Sequence, residues 1–257
     1  MAQLAVNAFL DSKDLSATQA WIESFVNSSR QGTPTPALQK TALFRILASD
    51  LTSSIKASPN NTLPPNALNP TVKELRVPDA IPVQVLDIED IGRSAWSQVE
   101  AIEAQERGET TKGREVIRVV PGEEADPTRD GTAPIPKSNG PHKLLLQDAK
   151  GTQIYGFEIT DVDGVDLNLG IGAKIILKNM TIARGVVLLD PNNTQLLGGK
   201  VEVWDKAWRS GRKERLKSKM KHTTTKLPYR IEGFLVAYDG HKPHVQHDLR
   251  MMNAYTQ

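Results

Sequence analysis

The chain has 257 residues, with 32 lysines and arginines against 30 aspartates and glutamates, so its formal net charge is +2. Because it contains no cysteine, disulfides, thiolate metal sites and a cysteine nucleophile are excluded. No apolar run approaches the roughly 18 residues of a membrane span, and acids occur near the start, where a signal peptide is basic. We therefore expect a soluble, intracellular protein with no membrane segment.

Residues 3–56 have the apolar spacing of helices. Ser16 and Gln19 have the form of a capping box that begins a helix. Thr35 and Pro36 are a cap followed by a proline in the first turn, which is a second start signal. Together with an earlier apolar segment, the pattern predicts a bundle of three helices over residues 1–62 whose apolar side chains form a core.

A proline-rich connection leads from this bundle to a second domain, predicted over residues 63–220. The segment 58–82 contains six prolines and favours an extended connection rather than a helix. After it the apolar period becomes two, or the apolar runs become short, which predicts a small barrel or sandwich of five strands. The predicted strands are 83–91, 143–146, 153–159, 174–182 and 186–189. A closing helix is predicted from Lys200 to about Lys219, and residues 221–257 form a tail.

The connection between the first two predicted strands is unusually long. Residues 93–141 begin with a pattern typical of a short helix and continue with a segment rich in proline, glycine and acids. Connections longer than about 15 residues in a compact domain are often functional or disordered. An inert spacer has no need of β-branched residues, so their presence here favours a partner-binding loop over an inert insertion. The apolar residues are Val116, Ile117, Val119 and Val120.

Basic residues concentrate near the predicted closing helix. Between Lys206 and Lys221 there are eight lysines and arginines and one acid, Glu214. Such a segment on a nearly neutral chain suggests a polyanion contact, and the alternative is a solvated helix face. For DNA we expect weak, salt-dependent binding to phosphates without base preference. The candidate nucleic-acid-binding residues are Arg209, Arg212, Lys213, Arg215 and Lys217.

The pair Gly198-Gly199 invites the question whether it holds a phosphate. A phosphate-binding loop requires glycine where Thr194 stands and serine or threonine where Val201 stands, so the pattern fails. The remaining explanation is a glycine corner between the end of a strand and the start of a helix. No other nucleotide-binding or serine-nucleophile pattern occurs, which argues against an enzyme.

Two groups of side chains have a spacing that partly resembles a metal site. Histidines 241, 244 and 247 are spaced by three, but Pro243 disfavours a helix and no nearby acid completes a zinc pattern. Aspartates 161, 163 and 166 lack the glutamate that a calcium loop places at its twelfth position. We therefore expect no metal and no cofactor.

Four blocks of sequence, taken in order, are more specific than any single motif. They are Gly156-Phe157-Glu158, Gly172-Ala173-Lys174, the run RGVVLL at 184–189, and LGGKV at 197–201. With the run PVQVLDIEDIG at 82–92 and the preceding helices, they resemble the N-terminal region of the RecQ-mediated genome instability protein family. The resemblance covers residues 1–220, and residues 221–257 resemble nothing we can place.

This resemblance implies an α+β protein with a three-helix bundle followed by a five-stranded OB-fold barrel, with a long insertion between strands 1 and 2. It implies a nuclear, non-catalytic subunit that binds topoisomerase III together with a RecQ-family helicase. In the family the insertion reaches toward the topoisomerase gate and favours decatenation and double Holliday junction dissolution. Animal members continue into a second OB fold that recruits a small subunit; this chain ends before one, so we expect a short, fungal-type member.

Two further expectations concern the barrel. Lys174 starts a strand outside the alternating apolar set, which predicts a contact with the topoisomerase, and the alternative is a solvated lysine. Tyr155 and Phe157 have the same parity on one strand, and both a core position and an exposed base-stacking platform remain open. The alternative function is a free-standing single-stranded DNA-binding OB-fold protein, against which the 5% aromatic content argues.

Overall fold

The computed structural model of the chain describes residues 2–30, 32–107, 109–112, 115–118 and 140–224. Its first unit is helical and comprises α1 (Ala2–Asp11), α2 (Gln19–Asn27), α3 (Thr35–Leu47) and the short α4 (Leu51–Ser54). The N-cap of α2 is Thr18, whose hydroxyl accepts a hydrogen bond from the amide of Trp21, and not Ser16, which instead donates to the carboxylate of Asp11. Pro36 lies in the first turn of α3, as predicted, but the N-cap is Pro34 and not Thr35, which is the first residue of the helix.

The proline-rich connection packs against the second unit. It contains a 3-10 turn, η1 (Pro65–Leu68), and a three-residue strand, β1 (Leu75–Val77). Leu63 is buried in the core of the sheet, and its amide donates to the carboxylate of Asp148 at 2.9 Å. The segment that was predicted to be a simple extended connection is therefore partly integrated into the sheet.

The second unit is a curled sheet closed by a long helix. Its elements are β2 (Ile81–Asp90), α5 (Ala95–Glu106), β3 (Glu109–Lys112), β4 (Glu115–Arg118), β5 (His142–Asp148), β6 (Gln153–Glu158), β7 (Lys174–Leu177), β8 (Met180–Ala183), β9 (Val186–Leu189), β10 (Thr194–Gly198) and α6 (Glu202–Thr224). The sheet order is β1-β8-β9-β6-β5-β2-β7-β10, and β3 pairs with β4 in a separate hairpin. Only β6 and β9 pair in parallel among the strands described.

The sheet curls because residues 174–183 contribute a strand near each of its ends, β7 near one end and β8 near the other. Strand β2 pairs with β5 on one side and with β7 on the other. Two residues, Lys178 and Asn179, separate β7 from β8, and Asn179 has a φ of 50° that turns the chain. Strand β8 then pairs with β9, which pairs with β6, so the pairing returns to β5. The predicted combination of a helical domain and an OB-fold domain agrees with this architecture.

The strand count differs from the prediction. The predicted run 174–182 is divided at Asn179, and a strand that the sequence did not indicate, β10, follows β9. Gly198, predicted to lie at a corner between strand and helix, is the last residue of β10 and pairs with Lys174. The helices predicted at the start of the insertion and at residues 200–219 are present as α5 and α6.

Candidate functional site

The two ends of the insertion meet at one point of the sheet. The amide of Ile91 donates to the carbonyl of Pro141 at 3.1 Å. A Cβ placed on Gly92 would lie 2.7 Å from the Cα of Gly140. The outgoing and returning segments of the insertion are therefore in backbone contact at these two glycines. The buried carboxylate of Asp90 accepts the amide of Gly92 at 2.9 Å. The insertion therefore leaves and rejoins the sheet through a narrow, fixed base.

The returning end is held by a buried pair. Nδ1 of His142, the first residue of β5, lies 2.8 Å from Oε2 of Glu158, which also accepts the His142 amide at 3.0 Å. The other oxygen of Glu158 accepts the amide of Val162 at 2.8 Å. Both side chains are buried. The glutamate of the Gly156-Phe157-Glu158 block thus positions the end of the insertion.

The first helix of the insertion, α5, is clasped by α6 through ion pairs. The Nζ of Lys213 lies 2.5 Å from Glu106 and 3.4 Å from Glu103, and the Nζ of Lys217 lies 3.0 Å from Glu103. The hydrogen bond from Lys217 is the main cause that lowers the pKa of Glu103. The hydrogen bond with Glu106 likewise raises the pKa of Lys213. We call these four side chains the α5–α6 clasp.

Beneath the clasp, polar side chains fasten α6 to the sheet. Arg212 is buried and donates to Oε1 of Gln98 at 3.1 Å, while the amide nitrogen of Gln98 donates to the carbonyl of Asp90 at 2.9 Å. The indole nitrogen of Trp208 donates to Asp87 at 2.6 Å. Burial, followed by the neighbouring arginines, lowers the pKa of Arg212 to about 10. The base of the insertion, α5 and α6 therefore form one packed assembly.

The basic side chains chosen from the sequence for nucleic-acid contact all have partners within the chain. The Nε of Arg209 lies 2.9 Å from Asp205, and Arg215 donates to the carbonyl of Trp208 at 2.7 Å. Burial contradicts the predicted DNA contact of Arg212. The other four form ion pairs or hydrogen bonds within the chain, and their contact with DNA stays a prediction. The residues concerned are Arg209, Arg212, Lys213, Arg215 and Lys217.

Lys174 does not point outward. Its side chain is only 1% exposed, because β7 lies between the core of the sheet and the helical unit. Its Nζ donates to the carbonyls of Ser49 at 2.7 Å, of Leu47 at 3.3 Å and of Gly172. Burial lowers its pKa to about 8, and Asp50 partly opposes the shift. The predicted topoisomerase contact through an exposed Lys174 is wrong, and the lysine joins the two units.

The apolar residues of the insertion are only partly within the described structure. Val116 and Ile117 lie in β4, paired with Thr111 and Thr110 of β3. Val119 and Val120 lie outside the described residues. Their role as topoisomerase anchors stays a prediction.

Tyr155 and Phe157 are exposed. Their exposed fractions are 48% and 37%, on the side of β6 that faces away from the core. The sequence left a core position and an exposed base-stacking platform open for both; the structure excludes the core position, and base stacking stays a prediction. The strand register aligns them with exposed and half-buried side chains of β1, β8, β9 and β5. We call this set the outer face: Arg76, Lys143, Leu145, Tyr155, Phe157, Thr181, Ala183, Val186 and Leu188.

The candidate chemical clusters gain no support. Within the described residues, which include aspartates 161, 163 and 166, no three histidine, aspartate or glutamate side chains are grouped as a metal site requires. Histidines 241, 244 and 247 lie outside the described residues. Of the helices that the structure describes, none combines the length and apolar character needed to cross a membrane.

Comparison with known proteins matches both units. The family model "RMI1, N-terminal OB-fold domain" matches residues 51–212, and "RMI1, N-terminal helical domain" matches residues 9–54. RecQ-mediated genome instability protein 1 of Schizosaccharomyces pombe is 34% identical over 142 residues, which is 51% of this chain and 60% of that protein. The Xenopus laevis protein of the same name is 27% identical over 189 residues, 71% of this chain and 30% of its own length. The chain thus spans less than two thirds of these relatives.

Proposed function

The chain belongs to the RMI1 family, and on that premise we propose that it is a non-catalytic subunit of a RecQ helicase–topoisomerase III complex. In this proposal it binds and stimulates topoisomerase III in the nucleus, and so promotes decatenation and double Holliday junction dissolution during DNA replication, recombination and repair. The observation that supports this best is the insertion, whose two ends are fixed on the sheet at Gly92 and Gly140. A long segment with a rigid base is suited to reach a partner.

The energetics fit a regulatory contact. Apolar side chains of the insertion gain about 25 cal/mol for each Å² that they bury against a partner. A segment that becomes ordered on binding loses part of this gain to conformational entropy. The fixed base and the α5–α6 clasp reduce that loss, because the first helix, Ala95–Glu106, is already placed. The contact is therefore expected to be specific and reversible.

Removing the outer part of the insertion tests this function. Residues 108–139 are replaced by a flexible Gly-Ser linker of about eight residues. The linker must return along α5 to the sheet, and its reach of up to ~26 Å exceeds the ~18 Å length of a helix the size of α5. We expect several-fold weaker stimulation of decatenation by topoisomerase III, because the clasp remains but the apolar segment is gone.

The control for this replacement is its own thermal unfolding midpoint, which should stay close to that of the wild type because α5 and its contacts are retained. Unchanged stimulation by a folded variant would contradict the proposed role of the insertion. Failure of the wild-type chain to co-purify with topoisomerase III would contradict the proposed function itself.

The α5–α6 clasp provides a second prediction. Changing Lys213→Glu together with Lys217→Glu places like charges opposite Glu103 and Glu106. We expect faster amide hydrogen exchange in residues 95–106, with only a small fall in the overall unfolding midpoint, because ion pairs between exposed side chains are screened by solvent and contribute little to overall stability.

The matched control for the clasp is Lys206→Glu, an exposed lysine of the same helix that has no ion pair within the described part of the chain. Adding Glu103→Lys and Glu106→Lys to the double variant should restore slow exchange. Equal exchange rates in wild type and double variant would show that the clasp does not hold α5.

The second candidate function, a free-standing single-stranded DNA-binding protein, is favoured by the exposure of Tyr155 and Phe157. The two functions differ in their dependence on partners. The second candidate would be favoured if the chain, purified from cells, carries neither topoisomerase III nor a helicase and binds DNA tightly by itself.

A further inference from the structure

A cavity of about 160 Å³ lies between the sheet and the two helices α5 and α6. Its walls come from β2, from the start of α5 and from the middle of α6. Because a water molecule takes up about 30 Å³, the cavity has room for roughly five waters or for one tetrahedral oxyanion such as phosphate. It lies apart from the outer face, whose residues do not line it.

The buried Arg212 lines this cavity with hydrogen-bond donors to spare. A guanidinium carries several N–H donors, and within the described residues Arg212 uses its Nη2, which donates to Oε1 of Gln98 at 3.1 Å. In the same part of the chain, the one buried side-chain nitrogen or oxygen without a hydrogen-bond partner is Nε2 of His142. The other nitrogens of Arg212 therefore keep accessible surface, and the cavity that Arg212 lines provides it.

Three further cations border the same cavity: Arg93, Arg215 and Lys219. The guanidinium carbons of Arg212 and Arg215 lie 6.0 Å and 5.2 Å from the ring centroid of Trp208, so both groups are gathered around one ring. Burial is the largest cause that lowers the pKa of Arg212, and the charge of Arg93 comes next and exceeds the opposing effect of Asp90. The charges around Arg212 are therefore net positive, which favours an anion at this place.

The carboxylates that line the cavity already have partners. Each accepts a hydrogen bond or forms an ion pair with a neighbouring side chain: Asp87 with Trp208 at 2.6 Å, Asp90 with Arg93 at 2.7 Å, and Glu89 with Lys219 at 2.7 Å. The guanidinium of Arg212 instead has the side-chain amide oxygen of Gln98, a neutral group, as its acceptor. A buried cation whose charge is not balanced in this way is costly, and a bound anion removes that cost.

We propose that this cavity binds a single phosphate group, whose oxygens accept hydrogen bonds from Arg212 and Arg215. Arginine suits this role, because its planar fork of donors matches the geometry of phosphate oxygens. A continuous DNA backbone is a poor fit, since its phosphates extend in both directions while the cavity is bordered by three elements. The ligand is therefore a terminal phosphate group, either free inorganic phosphate or the phosphate of a modified side chain.

The position of the cavity gives the site a consequence for the insertion. Arg93 and Gln98 lie at the start of the first helix of the insertion, while Arg212 and Arg215 belong to α6. A phosphate that bridges these elements stabilises only the state in which α5 is packed, so it should slow the local opening of α5. The site would then adjust how firmly the base of the insertion is held. This inference does not depend on the proposed topoisomerase function.

The test titrates inorganic phosphate into the full chain, with sodium chloride adjusted to keep the ionic strength constant. The thermal unfolding midpoint of the wild type is expected to rise and then saturate, because the ligand binds the folded state. Amide exchange in residues 95–106 should slow at least about twofold at saturation. Arg215→Gln should bind phosphate about 10-fold more weakly, because a hydrogen bond between charged groups is lost. Arg215 is chosen because it is partly exposed, whereas the buried Arg212 also holds Gln98.

The matched control is Lys206→Gln, which removes one positive charge from the same helix at an exposed residue that does not line the cavity. It should bind phosphate within about twofold of the wild type. A wild type that responds to phosphate no more than to chloride would mean that the cavity holds water only and would overturn the proposal. Equal binding by Arg215→Gln and the wild type, or an equal loss in Lys206→Gln, would overturn it as well.

A short phosphoserine peptide, titrated in the same way, separates the two sources of the phosphate group. If the peptide binds at least about 10-fold more tightly than inorganic phosphate and loses this affinity in Arg215→Gln, the ligand is a phosphorylated side chain. If it binds equally or more weakly, while inorganic phosphate saturates the wild type, the ligand is free phosphate. The unphosphorylated peptide is the control, and equal binding of both peptides would contradict recognition of a phosphate group.

Discussion

Replacing Lys174 with methionine is expected to lower the free energy of unfolding by about 3 kcal/mol. Its Nζ donates to the carbonyls of Leu47, Ser49 and Gly172. Methionine has a similar length but no donor, so three carbonyls at a buried junction lose a partner, and each such loss is costly. The unfolding midpoint should fall by roughly 6–12 °C, at about 2–4 °C for each kcal/mol.

The control is Lys178→Met on the same segment. The Nζ of Lys178 lies 2.7 Å from Oδ2 of Asp14, and both side chains are partly exposed. Its loss should cost less than about 1 kcal/mol, because exposed ion pairs contribute little. Equal losses in the two variants would contradict the structural role of Lys174.

The pH dependence offers an independent check on Lys174. Burial lowers its pKa from 10.5 to about 8, because an ammonium group loses hydration in the interior. Between these two values the unfolded chain binds more protons than the folded chain, so stability rises with pH. The difference in free energy of unfolding between wild type and the methionine variant should therefore increase across this interval. A difference that stays flat would contradict a buried, perturbed lysine.

The failure to predict the burial of Lys174 follows from how strand periodicity works. Alternation identifies the buried side of a strand only when its other side is exposed. Strand β7 is buried on both sides: Ile175 contributes to the core of the sheet, while Ile176 contributes to the core of the helical unit. A lysine in such a strand breaks no visible pattern. Two of the three carbonyls that accept from it, those of Leu47 and Ser49, lie 127 and 125 residues earlier in the chain. No local feature of the sequence signals them.

The partners of the basic side chains of α6 were not predicted, for a related reason. Counting charges between Lys206 and Lys221 identifies a cationic segment, but the acids that pair with its lysines, Glu89, Glu103 and Glu106, are distant in sequence. Lys213 pairs with Glu106 of the insertion, 107 residues away. The sequence did predict the helical nature of α5 and α6 and most of the strands, because these depend on local periodicity. It predicted the outer face only as one of two possibilities, since two aromatic residues of equal parity do not show which side of the strand is covered.

Gly199→Ala is expected to destabilise the protein by about 3 kcal/mol, whereas Gly198→Ala is expected to cost only about 1 kcal/mol. Both residues have positive φ, 84° and 77°, which penalises any side chain. A Cβ on Gly199 would in addition lie 2.5 Å from the carbonyl oxygen of Leu47, while a Cβ on Gly198 would meet nothing within 4 Å. Thermal unfolding of both variants measures the difference, and equal midpoints would show that close packing against α3 is not what requires glycine.

The same carbonyl of Leu47 accepts a hydrogen bond from Lys174, so these two predictions concern one junction between the helical unit and the sheet. Residues that share a partner are not energetically independent. Combining Lys174→Met with Gly199→Ala should therefore give a loss of stability that differs from the sum of the two single losses by at least about 0.5 kcal/mol. Combining Lys174→Met with Gly32→Ala, a positive-φ glycine with nothing within 4 Å of its Cβ position, should give the sum. Additivity in both combinations would mean that the end of α3 is not the element that joins the two units. Of the pair Gly198-Gly199, Gly199 is therefore the packing contact, and its lack of a side chain allows the backbone to pass close to the end of α3.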